Sequence, residues 1–386
     1  MEDSFKIPAK SKLLGWILAG VGGIAVIAGF MTDPSRMWAG ILLNNFYFLS
    51  LALGAVFFIS LQYVTDSQWS AMFRQIPGAM MLYVPVALIV MIAMAGGMGW
   101  IYEWARPDIA RQDALIAHKS PYLNIPFFYL RLLVIFGAWL ALIAALRKFF
   151  LREDAEGGLH WFRKSKHYSM IFIFVFGVTF SVASFDWIMS IDAHWFSTIF
   201  GISAIMSSLY YAVAVIILLV IGLNRLGYLR ALNEYHLNDF GRYLFRLSMV
   251  WGFLWFMQYL IIWYANIPET TFYYYYRMGE PFTALFYANI IINWAIPFVV
   301  LMSDTLGRKK AVLLPMCLLL LAGFYINLYL QIMPGSIGEL NFGFIEIGSF
   351  AGFAGIFLLL VMKGLSGASL IPVNHPYLQK SLHHHI

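Results

Sequence analysis

The chain has 386 residues, of which 61% are hydrophobic and only 11% charged. A soluble domain would carry about a quarter charged residues, so the composition excludes an ordinary globular protein and points to an integral membrane protein. The net charge of +6 comes from lysines and arginines scattered between apolar stretches, with no basic run in a readable nucleic-acid motif, so nucleic acid is not an expected partner.

A bilayer core about 30 Å thick calls for about 20 apolar residues per helical crossing. Ten stretches qualify: 13–31, 40–63, 79–101, 127–149, 168–188, 196–223, 241–265, 282–303, 311–332 and 342–363. The expected fold is an all-α integral membrane protein, one ten-helix transmembrane domain over residues 1–386. The first stretch follows Lys6, Lys10 and Lys12 as a signal peptide would, but its apolar run is too long for an h-region and no Ala-x-Ala site follows. It reads as an uncleaved span. Pro77, Pro85, Pro297 and Pro315 mark kinks or helix starts, which membrane bundles tolerate. The Gly96-Gly97-Met98-Gly99 run reads as close helix packing, since it lacks the strand–helix context of a nucleotide loop.

Of the 25 lysines and arginines, 19 fall on the side of the amino terminus and 6 on the other, these being Arg36, Arg106, Arg111, Lys119, Arg131 and Arg277. Positive residues accumulate in cytoplasmic connections, so both termini are expected in the cytoplasm, as an even number of spans requires. The periplasmic side is then acidic and aromatic. It carries Glu103, Asp108, Asp113 and His118, the run Tyr273-Tyr274-Tyr275-Tyr276 with Glu269 and Glu280, and Glu339 and Glu346. Spans two to five and six to nine share a direction, so two four-helix bundles with spans one and ten outside them are expected.

Ionisable residues crowd closest to apolar segments in the join from Phe180 to Gly201, where Asp186, Asp192 and His194 lie close to Trp187 and Trp195. An ionisable group there needs a partner, a wet cavity or a shifted protonation equilibrium, which makes it a site candidate. The plainer reading makes all three caps and anchors in interfacial water. Ser181 and Ser184 share a helix face one turn before Asp186 and offer either a ladder for water or simple packing contacts. Arg131, about one turn inside span four, either snorkels outward or pairs with Asp186 or Asp192. Glu346, about one turn inside span ten, completes the candidate proton acceptors. Trp187, Trp195 and Tyr83 are candidate walls of a flat apolar slot.

The single cysteine, Cys317, excludes an intrachain disulfide, a Cys-x-x-Cys-His haem attachment and a cysteine-held iron–sulfur cluster. The histidines His118, His160, His167, His194, His236, His375 and His383 to His385 lie outside the apolar cores, so bis-histidine haem ligation is not expected. No metal site and no cofactor held by this chain are expected. The terminal Leu382-His383-His384-His385-Ile386 reads as a frayed, solvated tail.

Three stretches together resemble a known family: Trp69 to Pro77, the join of Phe185 to Phe196 with its Phe-Asp-Trp-Ile-Met-Ser…His-Trp-Phe-Ser motif, and Arg242 to Asn266. They are similar to the membrane subunits of alternative complex III, a quinol:cytochrome c oxidoreductase, and most like the second of its two related ten-span subunits. These are relatives of the NrfD-like, polysulfide-reductase-type quinol-interacting subunits. The resemblance implies a subunit of a respiratory complex in the bacterial inner membrane, with quinol (menaquinone or ubiquinone) oxidised near the outer face. It also implies a sister ten-span subunit, periplasmic iron–sulfur and multihaem cytochrome c subunits that carry the haem c and clusters, and a terminal oxidase as a further partner. The chain departs from a quinol-oxidising subunit in lacking a histidine–carboxylate pair deep in a bundle. Three readings stay open: a structural and proton-conducting subunit with no redox centre, a direct quinol site near the periplasmic face, and an independent transporter. The last is disfavoured because no span has a break with charge at its centre.

Overall fold

In the computed structural model, which describes residues 5–384, ten helices are long and apolar enough to cross a membrane. They are α1 (Ala9–Thr32), α2 (Pro34–Val64), α3 (Ala71–Ile101), α4 (Ile125–Glu156), α5 (Leu159–Ile191), α6 (Ile199–Arg225), α7 (Glu234–Ala265), α8 (Thr283–Leu301), α9 (Lys310–Ser336) and α10 (Phe344–Ser366). Several extend beyond the apolar stretches that announce them. Helix α7 begins with polar turns from Glu234 under an Asn233 cap whose side chain accepts from the Tyr235 and His236 N–H groups. No strand occurs among the described residues.

Helix α2 is buried along its whole apolar length and α6 along most of it, whereas the others bury one face. A helix apolar all round belongs inside a bundle, and one-sided burial leaves leucine and phenylalanine side chains facing outward, as lipid requires. The two central helices touch through small residues: a Cβ on Gly54 of α2 would lie 2.0 Å from the Ser208 carbonyl oxygen of α6. Helix α2 also packs on α3, α5, α9 and α10, and α6 on α5, α7 and α9. Helix α4 packs chiefly on α5, and α8 lies between α7 and α9.

Helix α1 packs chiefly on α10, along a seam of glycines. A Cβ on Gly22 would come 2.1 Å from the Cα of Gly352, one on Gly355 would come 2.6 Å from the Ala19 nitrogen, and one on Gly348 would meet the Ala25 methyl at 2.4 Å. Membrane helices associate by such small-residue contact, since lipid supplies no hydrophobic drive between them. The Gly96–Gly99 run follows the same logic, with Gly97 flat against the Trp38 indole.

Two prolines place polar side chains. Proline lacks an N–H, so the carbonyl four residues earlier loses its helical partner. Ahead of Pro297, α8 takes a π-helical turn over Ile291–Ala295, and the freed Asn293 carbonyl accepts from the Tyr210 hydroxyl of α6 at 3.1 Å. Ahead of Pro334, the freed Leu330 carbonyl of α9 accepts from Arg277 Nε at 2.7 Å.

The described chain ends meet at one end of the helix array. Phe5 packs on Tyr228 just before α7, and His384 bonds Asp239 in the first turns of α7. The tail read as frayed is docked as far as His384, because Asn233 and Asp239 both bind it. His385 and Ile386 lie outside the described residues.

Candidate functional site

The end of the array away from the termini carries three arginine–carboxylate pairs. Arg131 of α4 donates from Nε to Asp186 Oδ2 of α5 at 2.6 Å, with side chains 10% and 1% exposed. Its guanidinium stacks over Tyr122 and Phe127, 3.9 and 4.4 Å from the ring centres, and Nη1 donates to the Tyr122 carbonyl. Arg131 thus does not snorkel. It neutralises Asp186 in an aromatic box. Burial, and then nearby Asp186, push the Tyr122 phenol up to about 12, so it stays a neutral donor.

The second pair joins Asp192, just past α5, to Arg277 in the short helix Pro268–Met278. Arg277 Nη2 meets Asp192 Oδ2 at 2.7 Å, while Nε and Nη1 donate to the Leu330 and Tyr273 carbonyls. The guanidinium lies 3.5 Å from the Tyr273 ring centre, and Trp195 stacks on the same ring at 3.7 Å and 10°. The two cannot share a face, so Tyr273 is sandwiched between cation and indole, with its phenol pushed to about 12 by burial. Gly335 makes room, since a Cβ there would come 2.7 Å from Asp192 Oδ1.

The third pair binds α2 to α10. Arg36 Nε and Nη2 reach the fully buried Glu346 carboxylate at 2.6 and 2.5 Å, and Glu346 also accepts from the Gly343 N–H at 2.7 Å. Planar two-point pairing of this kind is strong and directional.

His194 joins neither Asp186 nor Asp192. Its Nε2 meets Asp113 Oδ2 at 2.8 Å on a more exposed rim. Asp113 caps the short helix Ala114–Lys119, and the Ile116 N–H, with His194 nearby, holds its carboxyl below the usual range. Lys119 donates to the Ala193 carbonyl at 2.6 Å, and burial lowers its ammonium's proton affinity.

Ser181 and Ser184 turn their hydroxyls back to the Gly177 and Ser181 carbonyls of their own helix. Trp187 packs among Phe46, Phe136 and Trp139. Tyr83 packs on Phe48 and Phe357 and donates to Asn45, while Trp195 lies with Tyr273 and Phe200. The three aromatics therefore belong to separate packing groups.

Three open spaces adjoin these residues. A cleft of about 680 Å³ at the same end is walled by Glu103, Asp113, Asp192, His194, Trp195 and Glu269. A groove of about 1130 Å³ runs beside α9 and α10, lined almost wholly by leucine, isoleucine and aromatic side chains, with Glu346, Tyr325 and Tyr329 among its walls. The Tyr325 hydroxyl is buried there without a hydrogen-bond partner. Beneath Arg277, a cavity of about 50 Å³ between α6, α7, α8 and α9 is lined by Gln258, Tyr274, Asn289, Asn327 and Gln331. Asn293 continues this polar line, donating to Asn289 Oδ1 at 2.8 Å and the Gly323 carbonyl at 3.1 Å.

Sequence reasoning missed Arg36 and Arg277 as site residues. The available signal was a lone arginine next to an apolar stretch at the charge-poor end, the same signal that picks out Arg131. Among the described residues no group of three or more histidine, cysteine, aspartate or glutamate side chains is placed to hold a metal ion.

The ten apolar helices and the confinement of buried charge to the ends of the array define the class, a multi-pass α-helical membrane protein. No family model matches the chain, and no curated protein matches it at a significant level.

Proposed function

We propose that this chain is an integral membrane subunit of a bacterial respiratory quinol:electron-acceptor oxidoreductase of the alternative complex III type, holding no redox centre and contributing structure and proton conduction. In this reading it sits in the inner membrane with both termini cytoplasmic and the Arg131–Asp186, Arg277–Asp192 and Arg36–Glu346 pairs at the periplasmic end. Its partners are a sister ten-span subunit and periplasmic iron–sulfur and multihaem cytochrome c subunits. Neighbour relations support two four-helix groups, α2–α5 and α6–α9, with the α1–α10 pair outside.

One observation carries the proton role: the Asp192–Arg277 pair stands between the acidic cleft and the Asn289–Asn327 cavity. A carboxylate held by an arginine yet adjoining water on one side and polar amides on the other is suited to pass protons across the rim. In the Ser181/Ser184 ladder the hydroxyls are committed to their own backbone, so support for a path is stronger in α6–α9 than along α5. The test is turnover of the assembled complex. Asp192→Asn is expected to lower quinol-driven proton release per assembled complex, with haem content measuring how much complex assembles. Full proton release in that variant, or purification of the chain from its native membrane without haem-bearing companions, would overturn the proposal.

A second reading, direct quinol binding, is favoured by the groove along α9 and α10. Its size and apolar lining suit an isoprenoid tail, and the unpartnered Tyr325 hydroxyl suits a ring carbonyl. A photoreactive quinone should then label Tyr325 or Phe350 in preference to the Trp187 cluster, and labelling elsewhere alone would count against it.

A further inference from the structure

The end of the array that carries the termini holds another buried ionisable group, fully separate from the three arginine–carboxylate pairs at the opposite end. Glu153, near the end of α4, has a side chain 0% exposed. Its Oε2 accepts from the Tyr63 hydroxyl of α2 at 3.0 Å. Arg74 of α3 approaches Oε1 at 3.1 Å through Nη1, which also donates to Tyr63, and pairs through Nη2 with Asp154. Asp154 accepts additionally from Gln75 at 3.0 Å. His375, 8% exposed, closes the set with Nε2 3.8 Å from Glu153 Oε1, and Ser165 of α5 lies alongside.

The charges do not balance. Two carboxylates share one guanidinium, and burial together with Arg74 holds the His375 imidazole down to about 3, so it brings no second positive charge. An excess negative charge in a dry site is costly, and a proton removes it. Asp154 has its arginine, its glutamine and partial exposure. Glu153 is wholly buried, and its Oε1 has no well-aligned hydrogen bond. Beside it a cavity of about 20 Å³ lies between Tyr63, Gln62, Ser67, Ser70, Arg74 and His375, enough for one water on the criterion of roughly 10–15 Å³.

A strap covers the site. Past α10, Asn374 Nδ2 donates to the Asp154 carbonyl, and the His375 ring packs edge-on against Tyr63 and Phe162. Ser381 Oγ donates to the Trp69 carbonyl and accepts from the Met72 N–H, and the Ser381 carbonyl meets His236 Nε2 at 3.0 Å. The strap thereby ties α4 and the start of α3 to α7 and sets His375 in the cavity wall.

We propose that Glu153 is a proton-binding site reached from the aqueous phase at the termini end, and that the segment through His375 and Ser381 is its lid. The proton adds to the Glu153 carboxylate, Tyr63 and Arg74 hold the resulting acid, and Arg74 keeps Asp154 as its counterion. The site requires no quinol chemistry and stands or falls on this chain alone.

The test uses the purified full-length chain in lipid nanodiscs. Infrared difference spectra between about pH 6 and about pH 9, a window in which an ordinary carboxyl has almost finished titrating, are expected to show a protonated carboxyl band that Glu153→Gln removes and Asp154→Asn retains. A water-soluble carbodiimide, which modifies protonated carboxyls, is expected to label Glu153 about tenfold faster in His375→Ala, because loss of the lid removes the opening step that limits access. No Glu153-dependent band would overturn the proton site. A band with unchanged labelling in His375→Ala would overturn the lid. Because His375→Ala leaves every helix residue intact, the second arm holds even if Glu153→Gln fails to fold.

Discussion

Arg131 and Asp186 show what a buried pair demands. Removing one partner strands the other charge, so Arg131→Ala is expected to cost about 3–5 kcal/mol, while combining it with Asp186→Asn recovers most of that loss. Chemical denaturation in detergent measures both, and an additive double variant would exclude coupling. Asp113→Asn, on the exposed rim beside His194, is expected to change stability little in the same assay. His375 contributes a pH dependence with a definite sign. Its imidazole titrates at about 3 in the folded chain against about 6.5 unfolded, so between those values the unfolded state binds more protons. The stability it contributes is complete above about pH 6.5 and drains away as pH falls toward about 3. Thermal unfolding of His375→Gln should therefore show a flatter acid limb than the parent chain. At this scale the sequence is legible in part. Arg131, one turn inside a span, is flagged by the sequence as either snorkelling or pairing with Asp186 or Asp192, and the fold selects Asp186. The Arg36–Glu346 and Arg74–Glu153 pairs join residues far apart in the chain, and no local pattern encodes which distant helix lies opposite.

Among the helices, the α1–α10 seam is the contact most dependent on side-chain absence. Gly22→Leu is expected to detach α1 from α10 while leaving α2–α9 folded. Protease cleavage after the first helix, or loss of a cross-link between the Ala19 and Gly355 positions, reports it. Retention of the cross-link would show that the contact survives a bulky side chain in the seam. Helix positions are readable because apolar runs of membrane length have few alternatives, yet helix ends are not. Arg163–His167 and Glu234–Asn238 are polar enough to look like loops. They are helical because the chain enters each helix outside the apolar stretch, at Gly158 and at the Asn233 cap. The π-helical turn in α8 is invisible for a similar reason. Pro297 marks a kink, but only the Tyr210 hydroxyl on another helix determines how the freed carbonyl is satisfied.

For the whole molecule, the charge bias and the even span count make a joint statement about sidedness that one cysteine makes easy to test. Cys317 is fully buried, so the parent chain should be silent to membrane-impermeant maleimide. Asn124→Cys and Ser369→Cys, introduced singly without removing Cys317, should then label from opposite faces of right-side-out vesicles, Asn124→Cys from outside. Labelling of both from one face would break the topology.

The glycine seam also bears on biogenesis. Translation makes α1 first and α10 last, so the first helix enters the bilayer long before its main partner exists. Until then its groove of glycines faces lipid, a surface with nothing to hold it and little to offend the membrane. Closure of the seam is thereby a late event, and a chain arrested before α10 would carry a loose first helix that membrane proteases are equipped to recognise.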